Sequence, residues 1–230
     1  MLKVKLNEEM LSDAPRGGKY MIETNVYDVV IKHATVSESK GGSQSVTFNF
    51  QIGNDPKNTS TVYDGMRLTN NDGSENSIGM SRLMKLAVIA GLEDGDNLDT
   101  ETETLTVPVK GGGTKEEDFL VISNFTDLAC KVHVKRVYSR YQGKIRSRLE
   151  IQGFFREDGA SAQEITSGAE IGKQLAQTLE KYLKDGYEDG VTPEEAADYE
   201  AEQKAARSGG KVPVAKATTK ASAVKKGLFK

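Results

Sequence analysis

Apolar side chains recur at alternate positions through residues 20–52, the period of a half-buried strand. Val26, Val29 and Ile31 anchor one segment, and Val46, Phe48, Phe50 and Ile52 follow in strict period two. Gly41-Gly42 between them predicts a hairpin. A third strand is expected at Thr61–Leu68, closed by the turn-forming cluster Asn70-Asn71-Asp72-Gly73. The period then changes. Ile78, Leu83, Leu86, Ala87 and Ala90 fit one helical face, with Ser77 as N-cap and Gly91 as stop. Strand spacing resumes at Thr104–Val109, Phe119–Ile122 and Cys130–Phe155, interrupted by Gly111-Gly112-Gly113, which reads as a mobile loop. Ser167-Gly-Ala-Glu170 has the form of a capping box, after which Ile171, Leu175, Leu179, Tyr182 and Leu183 mark an apolar helical stripe. A second capping box, Thr192-Pro193-Glu194-Glu195, opens a stretch with few large apolar residues.

Within the last strand group, Leu128–Leu149 runs for 22 residues without an acid and carries seven Lys/Arg, with Tyr138 and Tyr141 among them. Like charges held this closely repel, so a fold that gathers them usually neutralises them on a polyanion. Rings beside them offer a surface on which an unpaired base can stack. The apolar phase slips between Val134 and Val137, which predicts a bulge at Lys135-Arg136. A three-residue loop, Gln142-Gly143-Lys144, would pair Tyr141 with Ile145, Ser139 with Ser147 and Val137 with Leu149. That register collects Arg136, Tyr138, Arg140, Arg146 and Arg148 on one solvent-facing side; a two-residue loop would mix the faces. The bland alternative is an exposed strand edge decorated with charge against aggregation. Edge protection does not require five residues grouped on one face, four of them cations of the same sign.

The net charge of −3 conceals a partition. Asp185–Gln203 holds eight acids and no base, and Lys204–Lys230 holds eight bases and no acid. The hydrophobic fraction of 37% suggests that part of the chain stays solvated. The expected organisation is an ordered body at 1–184 including a helix over 167–184, an acidic and partly helical segment at 185–207, and a disordered basic tail at 208–230. No apolar run reaches the length of a membrane span, and Met1–Glu9 lacks the features of a signal peptide. A single cysteine, Cys130, leaves no intramolecular disulfide and no cysteine zinc site. The charge order also predicts that the acidic block at 185–202 competes for the basic hairpin.

Other constellations carry little. Asp94, Asp96 and Asp99 lack the glycine and distal glutamate of a calcium loop and read as a solvated acidic turn. The glycines at 111–113 lack the Lys-Ser/Thr of a phosphate loop. No catalytic triad assembles around His33 or His133. Neither an enzyme nor a cofactor is expected.

The fold class is mainly β with few helices. Strands at roughly 20–36, 44–52, 60–68, 104–122 and 130–155, with a helix between the third and fourth, follow the order of a five-stranded OB-fold-like barrel, to which a C-terminal amphipathic helix and the tail are added. Tyr27-Asp-Val-Val-Ile-Lys-His-Ala, Val46-Thr-Phe-Asn-Phe-Gln-Ile, Arg82-Leu-Met-Lys-Leu-Ala and Val132-His-Val-Lys-Arg-Val-Tyr-Ser-Arg-Tyr-Gln-Gly-Lys resemble the phage-encoded single-stranded DNA-binding proteins. In that group a Tyr/Gly/Lys turn joins two late barrel strands, and the likeness covers about residues 15–156. The resemblance implies sequence-independent binding and protection of single-stranded DNA in phage replication, recombination or repair, in the cytoplasm of an infected bacterial host. Lys131, Lys135, Arg136, Arg140, Arg146 and Arg148, with Lys144 of the turn, would meet phosphates, while Tyr138, Tyr141 or Phe154 would stack bases. Replicative single-strand binders commonly end in an acidic tail with a terminal aromatic that recruits partners. Here the acidic block is internal and the chain closes Lys225-Lys-Gly-Leu-Phe-Lys230, so the tail has two readings, recruitment of replication or recombination proteins and direct contact with DNA. A β-rich structural protein of a virion is the alternative with the same strand pattern.

Overall fold

The computed structural model describes residues 22–53, 59–109 and 112–207. Met1–Glu9, Gly111 of the glycine loop and the tail 208–230 lie outside the described residues. The chain divides into two compact units at Val191/Thr192.

The first unit is built on β1 (Asn25–Glu38), which pairs antiparallel with β2 (Gln44–Ile52), itself paired with β3 (Ser60–Arg67). Strict alternation in β2 buries Val46, Phe48 and Phe50 on one face. In β1 the buried positions step from Ile31 to Ala34, and the register shifts between Ile31 and His33. Lys32 is therefore a bulge residue; a bulge bends its strand, and the pairing on the far edge changes at this point. Asn25–Ile31 pairs with β6 (Leu128–Tyr141), whereas Thr35 and Val36 pair with β5 (Thr114–Ile122). Asp127 accepts from Lys32 Nζ at 2.7 Å and fixes the bulge.

Helix α1 (Ser77–Ile89) covers the open side of the core. Its cap is Asn76, one residue before the expected Ser77, with the side chain accepting the Gly79 N–H at 2.9 Å. That offset turns Ile78 outward, 74% exposed, and buries Gly79 instead. A Cβ at Gly79 would lie 1.8 Å from the Arg67 carbonyl oxygen, so only glycine lets the helix start against the end of β3. The expected stop at Gly91 holds: it takes a φ of +87°, and Leu92 N–H reaches back to the Ala87 carbonyl at 3.0 Å. Phe48, Phe50, Phe125 and Phe154 form the aromatic centre, with centroid separations of 5.4–6.1 Å.

β4 (Thr100–Pro108) and β5 form a ribbon that, among the described residues, joins the sheet only through the two β5 pairs to β1. Its alternation is Thr-Glu-Thr-Glu rather than apolar-polar, which is why the hydrophobic pattern locates it only from Thr104 onward. β6 returns beside β1 and turns into β7 (Lys144–Arg156). The result is an open, mainly antiparallel sheet, of eight strands among the described residues, not the expected closed barrel of five. Among the described residues no ladder joins β3 to β7. Side chains bridge them instead. Arg82 of α1 meets Asp64 of β3 at 2.5 Å, donates to the Ile151 carbonyl of β7 at 3.0 Å, and lies 5.6 Å from the Phe154 ring centroid.

After β7 only the middle of the expected helix over 167–184 is helical, and a separate short helix precedes it. The capping box that forms is Ser161/Glu164, opening α2 (Ala162–Ser167); Gly168 and Gly172 take positive φ and separate it from α3 (Lys173–Lys181). Glu164 serves both helices, accepting from Ser161 N–H at 2.8 Å and Gln174 N–H at 2.7 Å. Burial opposes its ionisation, yet the converging backbone amides outweigh burial and hold the carboxyl below its usual range. The apolar stripe is only partly covered, since Ile171, Leu179 and Tyr182 stay exposed. A two-residue strand, β8 (Gly186–Tyr187), closes this unit where acidic, partly helical chain was expected. In the second unit, α4 (Pro193–Arg207) begins at the expected box, with reciprocal Thr192 and Glu195 hydrogen bonds at 3.0 and 3.3 Å.

Candidate nucleic-acid interface

The β6–β7 turn decides which side chains share a face. Tyr141 pairs with Lys144, leaving the two-residue loop Gln142-Gly143, with φ values of +49° and +75°. Two positive φ values in sequence match the right-handed twist of paired strands, whereas the expected three-residue loop does not form. The extra residue that absorbs the phase slip is Gln152 of β7, opposite the His133/Val134 step, rather than a bulge at Lys135-Arg136. A slip of one residue reverses every side chain on β7. The two faces are therefore Arg136, Tyr138, Arg140, Ile145, Ser147 and Leu149 on one side, and Lys135, Val137, Ser139, Tyr141, Lys144, Arg146, Arg148 and Glu150 on the other.

The second face gathers four of the expected cations. At its tip Tyr141 is 53% exposed, and the Arg146 guanidinium lies over its ring, 4.6 Å from the centroid. Lys144 stands exposed beside them. Arg148 is held by two carboxylates, Glu150 at 2.8 Å and both oxygens of Glu188 at 2.9 Å. The hydrogen bonds it donates to Glu188 and then to Glu150 raise the pKa of its guanidinium.

Arg136 and Tyr138 do not face solvent as expected; they are 4% and 1% exposed. The Arg136 side chain donates to the Ile22 carbonyl and its backbone N–H to Thr24 Oγ1 at 2.9 Å, so its charge is met by chain upstream of β1. Tyr138 is covered by Tyr187 of β8, with rings 5.8 Å apart and 12° from parallel. Arg140 is half-buried on the same side. Lys131 lies at the far end of β6 and pairs with Asp28. Phe154 belongs to the core, stacked on Phe50 at 6.1 Å, so its ring is not offered to a base. Lys135 is half-buried, beside β8.

A groove of about 780 Å³ opens beside the base of the hairpin, between β7, α1, α2 and α3, lined by Lys85, Lys135, His133, Gln152, Gln174 and Tyr182 among others. His133 is buried, and burial lowers its pKa despite a hydrogen bond to the Tyr182 backbone. Among the described residues no three His, Cys, Asp or Glu side chains converge on a metal-sized point. Cys130 is buried, and desolvation pushes its thiol up to about 12, which leaves it unreactive at neutral pH. No helix among the described residues is long and apolar enough to cross a membrane.

Tyr187 and Glu188, which complete the site, escape hydrophobic periodicity because β8 is only two residues long. The available signal is the pair of Asp-Gly dipeptides, 185–186 and 189–190, of which the second forms a turn. No curated protein matches the chain. Residues 16–111 are similar to a family described as a protein of unknown function, DUF669, and that likeness spans β1 to β4 and ends before the basic hairpin.

Proposed function

We propose that this protein binds single-stranded DNA without sequence preference, protecting it during phage replication, recombination or repair. The observation that carries the reading is the hairpin tip, where an exposed Tyr141 ring lies under Arg146 with Lys144 at its side. A ring offers a stacking surface to any base, and cations spaced along a strand follow a backbone rather than a sequence. The strand order β1-β2-β3, α1, β6-β7 supports reading the body as an opened OB-type barrel, with Arg82 bridging the unpaired seam and the β4–β5 ribbon as an insertion. No chemistry is assigned to the site.

The test is fluorescence anisotropy with oligo(dT), oligo(U) and duplex DNA at two salt concentrations. Single-stranded DNA should bind tighter than duplex. With two to four phosphates engaged, log K should fall with log salt at a slope of roughly −1.5 to −3. Equal affinity for duplex, or retention independent of salt, overturns the proposal.

A further inference from the structure

We propose that the strap Asp185–Glu188 holds a phosphate position on the basic hairpin, and that an incoming single strand must displace it. The inference deepens the nucleic-acid reading and rests on it. β1 leaves the edge of β6 at Asn25, opposite Val134. β8 takes over that edge, parallel to β6, with Gly186 beside Val137 and Tyr187 beside Tyr138. The Glu188 N–H donates to the Tyr138 carbonyl at 2.9 Å. At its other end, Asp185 accepts from the Thr24 hydroxyl.

The strap puts a carboxylate where the basic face would meet a polyanion. Both Glu188 oxygens lie 2.9 Å from Arg148 Nη2, although Glu150 already engages the same guanidinium. A phosphodiester presents the same pair of anionic oxygens to an arginine. Lys135 lies against the strap too: a Cβ at Gly186 would sit 3.0 Å from its Cε and 3.1 Å from Val137 Cγ2. Lifting the strap therefore releases Arg148 from Glu188 and clears the space beside Lys135, on the same face as Arg146 and Lys144 at the tip. The attachment is suited to exchange. The Arg148–Glu188 pair is about half exposed on both sides, and exposed pairs are weak and screened by salt. The strand it belongs to contributes only two residues to the ladder.

Oligo(dT) binding is compared for the wild type, Glu188→Gln, Gly186→Val and Asp189→Asn. Glu188→Gln removes the competitor and leaves an exposed neutral side chain, so affinity should rise about fivefold to tenfold as the open fraction grows. Its salt slope should steepen by about 0.7, since Arg148 then exchanges counterions for a phosphate. Gly186→Val keeps every charge and lifts the strap by crowding Lys135 and Val137, and should act in the same direction. Asp189→Asn makes the same charge change one residue away and should stay within about twofold. Hydrogen exchange at the Glu188 amide should accelerate when the wild type is saturated with oligo(dT). Equal effects of Glu188→Gln and Asp189→Asn, a wild type that binds no more weakly than Glu188→Gln, or a Glu188 amide unchanged on saturation overturns the strap while leaving single-strand binding intact. Failure of the wild type and both strap variants to bind at low salt overturns the nucleic-acid reading and the strap together.

Discussion

Tyr138 and Tyr141 are three residues apart on one strand and play opposite parts. Tyr141 ends β6 at an exposed turn with Arg146 over its ring, whereas Tyr138 lies beneath Tyr187 with 1% of its surface exposed. Tyr141→Ala is expected to weaken oligo(dT) binding by about 1–3 kcal/mol with the melting temperature nearly unchanged, the cost of losing a stacked base. Tyr138→Ala is expected to lower stability by on the order of 3 kcal/mol through the cavity it leaves. Urea midpoints measured beside affinities on both variants check the division. Alternation along β6 marks both tyrosines, but it does not reveal which one a later strand will cover. Arg136 is the same kind of case. It reads as a surface cation until the carbonyl of Ile22, 114 residues away in the chain, closes over its guanidinium.

Among the elements, β2 is the most legible, because one buried face and one polar face make its period-two pattern unambiguous. The β6–β7 register is the least legible. It depends on whether Gln142 accepts a left-handed φ, and glutamine carries none of the Asn or Gly signal that announces such a turn. A one-residue error there exchanges the faces of Arg146 and Arg148 while leaving the strands in place. The break between α2 and α3 was similarly hidden: Gly168 lay inside the motif that resembled a cap, and the carboxylate that does the capping was three residues upstream of Ser167. Arg82 gives the seam between β3 and β7 its own test. Burial lifts the Asp64 carboxyl above its usual range, and the charge and hydrogen bond of Arg82 pull it back only in part. Arg82→Ala leaves that carboxylate buried without a partner, which should cost about 3–5 kcal/mol at neutral pH. For an acid whose folded pKa is raised, protonation favours the folded state, so the deficit should narrow as pH falls from about 7.5 toward 5. Urea unfolding of wild type and variant at both pH values checks the sign; a deficit that widens on acidification would exclude Asp64 as its cause.

At the scale of the whole molecule, charge is segregated instead of averaged. The β4–β5 ribbon carries Glu101, Glu103, Glu116, Glu117 and Asp118, the hairpin carries the cations, and the net charge is only −3. An acidic ribbon and a basic hairpin on one sheet should orient an approaching polyanion toward the hairpin, within a screening length of about 10 Å at 0.1 M salt. The segment 208–230 carries six further lysines. Deleting that segment should weaken oligo(dT) binding and make its salt slope shallower if those lysines reach phosphates. Anisotropy at about 50 and 200 mM salt reads both effects, and an unchanged slope would assign the tail to another partner.

The Arg82 bridge also has a consequence in time. It joins β3, α1 and β7 through residues 18 and 69 positions apart in the chain, and no ladder among the described residues assists it. Contacts of that separation carry a large loop-closure cost and are made after the local hairpins have formed. Arg82→Ala should therefore accelerate unfolding while leaving the refolding rate nearly untouched, the behaviour of an interaction absent from the transition state. That outcome would make one guanidinium a brake on the loss of the native sheet and not an aid to its assembly.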